Sequence, residues 1–277
     1  MKDYSKQNNE RIVKNTLTLY VRTALVMLVS LFTSRVVLSA LGIEDYGIYN
    51  IVGGVVVMFS VVSGALSASI SRFITFELGR ADMRKLRRIF STSINIQVGI
   101  SLLILILGET VGIWFLNYKM NIPLDRLEAA NWVLQCSLIT FVINLVSVPY
   151  NAVIIAHEKM SAFAYVSILE VILKLLIAYL LYISIWDKLV VYSLLLVLVA
   201  MTIRIVYGVY CNRHFFETRY QLVFDRTLIR DMTSFAGWGF FTNTAYLFNT
   251  QGINILINMF FGVGVNAIYS DAEVQRH

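Results

Sequence analysis

Long uninterrupted apolar stretches recur along this chain of 277 residues, and each is long enough to cross the hydrocarbon part of a bilayer. Apolar residues make up 58% of the sequence and charged residues only 14%, with a mean hydropathy of +0.70. A soluble domain contains about one quarter charged residues. One soluble core could not bury so many apolar side chains, so the sequence predicts a membrane protein.

The backbone of a lipid-crossing segment must satisfy its own hydrogen bonds, which predicts helices here. We therefore expect an all-α, polytopic membrane helix bundle with seven full transmembrane helices and the start of an eighth near Asn258. The first apolar run is too long for a cleavable signal peptide. The seven predicted spans cover about 13–41, 46–71, 89–116, 131–156, 163–185, 189–211 and 232–256.

The longest polar stretch lies between the sixth and seventh predicted spans, from Asn212 to Asp231. It predicts a division into a first six-helix lobe (1–211), a cytoplasmic linker (212–231) and the start of a second lobe (232–277). Aromatic side chains alternate with charges in this linker, which favours an amphipathic segment on the inner leaflet.

The charges of the predicted loops are strongly biased to one side. Fourteen lysines and arginines fall in the N-terminal segment and the 2–3, 4–5 and 6–7 loops, against three on the other side, Lys119, Arg126 and Lys188. Positive loops stay in the cytoplasm. We expect a multi-pass protein of the bacterial cytoplasmic (inner) membrane with its N-terminus inside.

Several charged residues fall inside the predicted spans, where each costs about 2.5–3.5 kcal/mol. The cations are Arg22, Arg35, Arg72, Lys174 and Arg204, and the acids are Glu109 and Glu170. Some have simple explanations, because Arg35 and Arg72 lie near helix ends and can extend to the interface. Glu170 and Lys174 are four residues apart and can form either a structural pair or an ion-coupling site. The excess of cations suits an anionic substrate, whose phosphate oxygens arginine binds bidentately.

Polar residues also mark the seventh span, where Asn243, Gln251 and Asn254 share one face. Their amides fit either sugar hydroxyls or contacts between helices. Gly64 and Ala68 in the second span predict close helix packing. The sequence lacks a phosphate-binding loop, a nucleophile elbow, a metal motif and a nucleic-acid motif. We therefore expect neither an enzyme nor a cofactor, and no nucleic-acid partner.

The order and spacing of several short motifs resemble those of polysaccharide flippases, the O-antigen and capsule-repeat exporters of the multidrug/oligosaccharidyl-lipid/polysaccharide superfamily. The resemblance runs to about Ala267. It rests on the stretches Arg35 to Tyr49, Gly64 to Phe73, Glu77 to Gly79, Val148 to Ala152, Ala156 to Met160, Gly237 to Gly239 and Asn254 to Gly262.

The resemblance implies two helical lobes around a cationic cavity that move a lipid-diphosphate-linked oligosaccharide to the outer leaflet by alternating access. Arg22, Arg35, Arg72 and Arg204 would then attract the diphosphate, and the amides of the seventh span would contact sugars. Glu170 with Lys174, and also Glu109, are candidates for coupling. Membrane lipids, a polysaccharide polymerase and assembly proteins are the implied partners, in O-antigen or other lipopolysaccharide biosynthesis.

The resemblance also implies twelve to fourteen helices, so we expect a C-terminally truncated chain. Two alternatives remain. A multidrug and toxin extrusion cation antiporter has the same fold, although it predicts an excess of acids in the first lobe. A membrane enzyme acting on lipid-linked sugars would need a large outer loop, whereas the longest one here runs only from about Asn117 to Ala130.

Overall fold

A computed structural model describes residues 2–57, 59–120, 122–242 and 244–245, and in these residues all regular structure is helical. A π-helical turn (Gly108–Gly112) follows α4, and 3-10 turns cover Leu124–Arg126 and Phe216–Thr218. The helices are α1 (Lys2–Leu41), α2 (Ile43–Val57), α3 (Ser60–Arg80), α4 (Met83–Leu107), α5 (Ile113–Tyr118), α6 (Leu127–Ala156), α7 (Met160–Leu180), α8 (Lys188–His214) and α9 (226–242).

Five helical stretches of the described residues are long and apolar enough to cross a membrane, with mean hydropathies of 2.0 to 2.5. They are Asn15–Leu41, Met83–Tyr118, Leu124–Ala156, Met160–Leu180 and Lys188–His214. The first of them buries only 17% of its most apolar window inside the protein. A soluble monomer rarely exposes so large an apolar surface. The predicted polytopic helix bundle is confirmed.

The second predicted span, about 46–71, is divided between α2 and α3. A tight turn separates them, in which the backbone N–H of Phe59 donates to the Val56 carbonyl at 3.1 Å. The helix then continues nine residues beyond the predicted end, to Arg80. Helix α8 ends at His214 and α9 begins at 226, so residues 215–225 connect the two helices and contain the 3-10 turn Phe216–Thr218. We call residues 215–225 the linker segment.

Short polar caps set where several helices begin. The side chains of Asp82, Asp187 and Asp225 accept backbone N–H groups in the first turns of α4, α8 and α9. Such caps satisfy N–H groups that have no partner within the helix. Gly42 joins α1 to α2 with a φ of +85°, a conformation that only glycine adopts without strain.

Helix α6 is central to the bundle, and it packs against α2, α3, α4, α7 and α8, while α1 lies along α7. The fully buried side chains of Phe90 on α4 and Ile154 on α6 belong to its core. Glycine permits a close approach at the π-helical turn, because a Cβ at Gly108 would lie 2.5 Å from the side chain of Leu138. This turn therefore fits tightly against α6.

Helix α9 packs on α3 through small side chains. The buried hydroxyl of Ser69 donates to the Met232 carbonyl at 2.9 Å, and a Cβ at Gly239 would lie 3.9 Å from that of Ala65. The close packing predicted at Gly64 and Ala68 was wrong, because both residues are exposed and a Cβ at Gly64 would have no neighbour within 4 Å. Their neighbours Ala65 and Ser69 make the contact, which joins the helix after the linker segment to the helices before it.

The connections lie at two ends of the bundle. The α3–α4 turn, the α6–α7 turn and the linker segment meet at one end, which we call the basic end because of Arg84, Lys85, Arg87 and Arg88. The α1–α2 turn and the connections before α6 and α8 meet at the other, which we call the opposite end.

Candidate functional site

Three of the four predicted substrate arginines are held against aromatic rings. The distances from the guanidinium carbon to the ring centre are 4.5 Å for Arg22 on Phe163, 4.4 Å for Arg72 on Phe235 and 4.0 Å for Arg204 on Tyr150. None of the three forms a salt bridge with a carboxylate of the described residues. Stacking orders a guanidinium without neutralising its charge, so the positive charges remain available to an anion.

The Nε atom of Arg22, which joins the side chain to the guanidinium carbon, is buried. It has no hydrogen-bond partner in the described part of the protein. Arg22 and Glu170 both act electrostatically on the hydroxyl of Tyr207, so they share one neighbourhood between α1, α7 and α8. A buried donor without a partner is costly, and a bound anion would supply the missing acceptor.

Arg204 lies between α8 and α6. Its Tyr150 partner also meets Phe90 edge-on at a centroid distance of 5.1 Å, so the ring under the guanidinium is itself fixed. Gly208, one turn later on α8, leaves room for the side chain, because a Cβ there would lie 3.0 Å from Nη1 of Arg204. The surroundings thus orient this arginine through packing alone.

Glu170 and Lys174 form the predicted ion pair on α7, with 2.6 Å between the Lys174 Nζ and a Glu170 carboxylate oxygen. The pair lines a cavity of about 180 Å³ that α2, α6 and α8 complete. An adjoining cavity of about 210 Å³ shares Tyr49, Thr140 and Asn144 with it. The Thr140 hydroxyl is buried without a partner in the described residues. The pair therefore borders a polar, partly open cavity that could admit water or a small cation, and the side chains of Lys174 and Glu170 are 43% and 36% exposed.

Glu109, Arg35 and the amides of the seventh span complete the predicted set. Glu109 lies exposed on the π-helical turn, where it accepts a hydrogen bond of 3.0 Å from the side chain of Gln135. Arg35 is exposed on α1. Asn243, Gln251 and Asn254 lie outside the described residues, so the prediction of a glycan-binding stripe remains a prediction.

The structure does not place the four arginines against one common partner. Arg22 stacks between α1 and α7, Arg204 between α8 and α6, and Arg72 between α3 and α9. Sequence reasoning missed all three aromatic partners, because each lies far from its arginine along the chain. The i,i+4 spacing of Glu170 and Lys174 is a local signal, and it predicted their ion pair from the sequence.

The described residues form a bundle of long apolar helices with a polar cavity and with arginines that lack a carboxylate partner, which defines a polytopic membrane helix bundle. A solved structure shares this fold: the outward-facing conformation of a multidrug resistance MATE family transporter of the MOP superfamily matches with a TM-score of 0.68 at 16% identity. The match covers 95% of this chain and 58% of that one, so the chain spans less than two thirds of the transporter's length. The likeness shows the fold.

The family follows from the sequence itself. Residues 12–275 match the family described as polysaccharide biosynthesis protein, and the chain belongs to this family. None of the curated protein sequences matches this one significantly. Family and fold agree with the resemblance found in the sequence motifs, and they identify a multi-pass membrane protein.

Proposed function

We propose that this protein acts in the transfer of a lipid-diphosphate-linked oligosaccharide from the cytoplasmic to the periplasmic leaflet by alternating access. The observation that carries the proposal is the set of arginines stacked on aromatic rings without a carboxylate partner among the described residues. A diphosphate is a strong partner for such groups. Membership of a polysaccharide biosynthesis family supports a glycan as the attached cargo.

The proposed orientation places the basic end in the cytoplasm of a bacterial inner membrane, following the bias of loop charges. In this orientation residues 1–211 form the first lobe, 212–231 the cytoplasmic linker and 232–277 the start of a second lobe. The polymerase and assembly proteins of the same glycan, such as an O-antigen, are the proposed partners. The role is transport, without chemistry on the sugar.

Coupling to an ion gradient is assigned to Glu170 and Lys174, with Glu109 as a second candidate. Glu170 lies close to both Lys174 and the Tyr207 that Arg22 also affects. Protonation or cation binding at Glu170 would therefore change the electrostatic environment of a proposed diphosphate ligand. Energy coupling and cargo binding would then share one group of side chains.

A cation antiporter for drugs is the second candidate function. The structural likeness to a multidrug resistance transporter and the polar cavity beside Glu170 favour it. The unpaired arginines argue against it, because they would repel a cationic drug from the same part of the bundle. Measuring whether the protein moves a lipid-linked oligosaccharide or a cationic drug distinguishes the two functions.

The test changes Arg22 and Arg204 to glutamine, singly and together, in cells that depend on this gene for surface polysaccharide. Each side chain would contribute charge-assisted hydrogen bonds of about 1.5–3 kcal/mol, so export should fall about tenfold or more. Lipid-linked repeat units should accumulate inside. Arg213→Gln, an exposed arginine at the end of α8, is the matched control. Normal export by the double variant, at normal protein level, would overturn the proposal, and altered accumulation of cationic drugs would favour antiport.

A further inference from the structure

A pocket of about 410 Å³ lies between α3 and α9 near the basic end of the bundle. Its size falls within the roughly 300–1,000 Å³ of small-ligand sites. The base of the pocket is fixed, because the buried hydroxyl of Ser69, one turn before Arg72, is hydrogen-bonded to the α9 backbone at Met232. Both walls thus belong to helices that are anchored to each other.

One unpaired arginine supplies the positive charge of this pocket. Arg72 lies with its guanidinium over the face of Phe235, and it has no hydrogen bond or salt bridge with another described residue. Stacking uses the face of the planar group, so its N–H donors remain free around the edge. That edge matches two oxygens of a phosphate. Arg80 adds a second cation nearby, 5.0 Å from the ring of Phe76, although it also lies 3.7 Å from Glu77.

The other walls combine exposed aromatic rings with hydroxyl-binding groups. Phe76 is 60% exposed and Trp238 is 73% exposed, although both line the pocket. Asp231, Ser234 and Trp238 repeat at helical spacing and so lie along one face of α9. Flat aromatic faces pack well against the C–H face of a sugar ring, while a carboxylate and a hydroxyl bind its hydroxyl groups.

We propose that this pocket binds the sugar-phosphate headgroup of a lipid, with the phosphate on Arg72, the first sugar ring against Phe76 and Trp238, and the sugar hydroxyls on Asp231 and Ser234. The choice of a sugar-phosphate lipid rests on the proposed function. The lining itself favours it over an ordinary phospholipid, because a glycerol headgroup has no ring face to cover two exposed aromatic side chains. The pocket is then a headgroup site at the membrane surface, separate from Arg22 and Arg204.

The test measures binding of three lipids to the purified full chain in detergent. The probes are farnesyl diphosphate carrying N-acetylglucosamine, farnesyl diphosphate alone and dioleoylphosphatidylglycerol. Replacing Trp114, Trp132 and Trp186 with phenylalanine leaves Trp238 as the fluorescent reporter inside the pocket. The sugar-bearing probe should shift the emission of Trp238 by covering its ring, and it should bind several-fold more tightly than the sugar-free diphosphate.

Two substitutions separate the parts of the site. Arg72→Gln should weaken both diphosphate probes about tenfold, because it removes the phosphate contact. Phe76→Leu should remove the advantage of the sugar and leave the sugar-free probe unchanged. Arg84→Gln and Phe224→Leu, exposed positions that do not line the pocket, are the matched controls and should bind like the parent chain. Thermal unfolding and gel filtration verify that every variant is folded.

Each contrary result has a distinct meaning. Equal binding of the glycolipid by the parent chain and Arg72→Gln would overturn this pocket, while Arg22 and Arg204 would still carry the proposed transport function. Equal affinity for phosphatidylglycerol and for the sugar-bearing probe would assign the pocket to phospholipid and overturn the sugar site. No change in Trp238 emission with any probe would also overturn the pocket, while polysaccharide export in the Arg22 and Arg204 variants would still decide the transport function.

Discussion

The two ends of the bundle are held together by different kinds of contact. At the opposite end one arginine joins three connections: Arg126, before α6, pairs with both carboxylate oxygens of Asp45 in α2 and with Asp187 at the start of α8. At the basic end the linker segment is attached through several single contacts. Among them are His157 with Glu217, Arg87 with the Arg219 carbonyl at 2.7 Å, and the Tyr220 hydroxyl with Asn95 at 2.8 Å. Asn95 also donates to the Val223 carbonyl at 2.9 Å, and the Gln221 N–H donates to Ser91 at 3.1 Å.

At the opposite end one arginine forms the joint, whereas at the basic end the contacts are spread along the linker segment. Arg126 stays protonated at any physiological pH and uses its planar fork on two partners, which fixes the helices of the predicted first lobe to one another. The linker segment, which leads to α9, is held by a histidine–glutamate pair, by single hydrogen bonds and by the burial of Phe215 and Thr218. Because the contacts of the linker segment are divided among several residues, we expect each substitution there to have a smaller effect than the loss of Arg126.

The largest effect should come from breaking the joint at the opposite end. Arg126→Ala leaves the side chains of Asp45, only 16% exposed, and Asp187 without their partner. We expect the free energy of unfolding in detergent to fall by about 2–3 kcal/mol, since hydrogen bonds between charged groups are lost. Arg126→Lys keeps the positive charge but loses the planar guanidinium, so its free energy of unfolding should lie between those of the parent and of Arg126→Ala. An Arg126→Ala protein as stable as the parent would show that this network does not hold the lobe.

A smaller and pH-dependent effect is expected at the basic end. Burial alone would raise the pKa of Glu217, but the hydrogen bond from His157 and its own backbone N–H outweigh it, and the pKa lies below its ordinary value of 4.5. The ionised Glu217 carboxylate therefore stabilises the docked linker segment, and this stabilisation is complete above pH 4.5. It is lost as the pH falls through the lowered pKa of Glu217.

Hydrogen exchange of the linker segment measures this effect. Glu217→Gln should weaken docking by about 1–2 kcal/mol and speed local exchange about five- to thirtyfold at pH 7. In the parent chain, protection relative to intrinsic exchange should decrease below pH 4.5, whereas in Glu217→Gln it should be nearly independent of pH. Identical protection of both proteins at pH 7 would contradict a role for this pair.

The smallest effect should come from Arg87, which is partly exposed. Arg87→Ala removes one hydrogen bond to the Arg219 carbonyl and a contact with the Phe216 ring at 5.6 Å. We expect a loss of about 0.5 kcal/mol, visible as roughly twofold faster exchange over the linker segment alone. Arg88→Ala, an exposed neighbour on α4, serves as control. A larger effect of Arg88 than of Arg87 would show that total charge, and not this contact, secures the segment.

The sequence was sufficient for features with a local or periodic signal. Apolar runs predicted the five long apolar helices of the described residues, although the second predicted span is divided in two, and the order of short motifs predicted the family. The Glu170–Lys174 pair followed from its spacing along one helix. The polar stretch from Asn212 to Asp231 contains the connection between α8 and α9, residues 215–225, whereas the division into two lobes stays a prediction.

Features that depend on distant contacts were not predictable. The turn at Phe59 interrupts an apolar run without a proline or a charge to mark it. The docking of the linker segment joins residues more than one hundred positions apart, such as Asn95 and Tyr220. The stacking of Arg22, Arg72 and Arg204 on aromatic rings depends on which helices pack together, and that order is set by the whole bundle.

The proposed transfer of a lipid-linked glycan is tested most directly by deleting this gene in its own host and measuring lipid-linked repeat units in each leaflet. Surface polysaccharide should disappear while complete repeat units accumulate on the cytoplasmic leaflet, and the restored gene should reverse both changes. Unchanged surface polysaccharide with no accumulation of repeat units would contradict it.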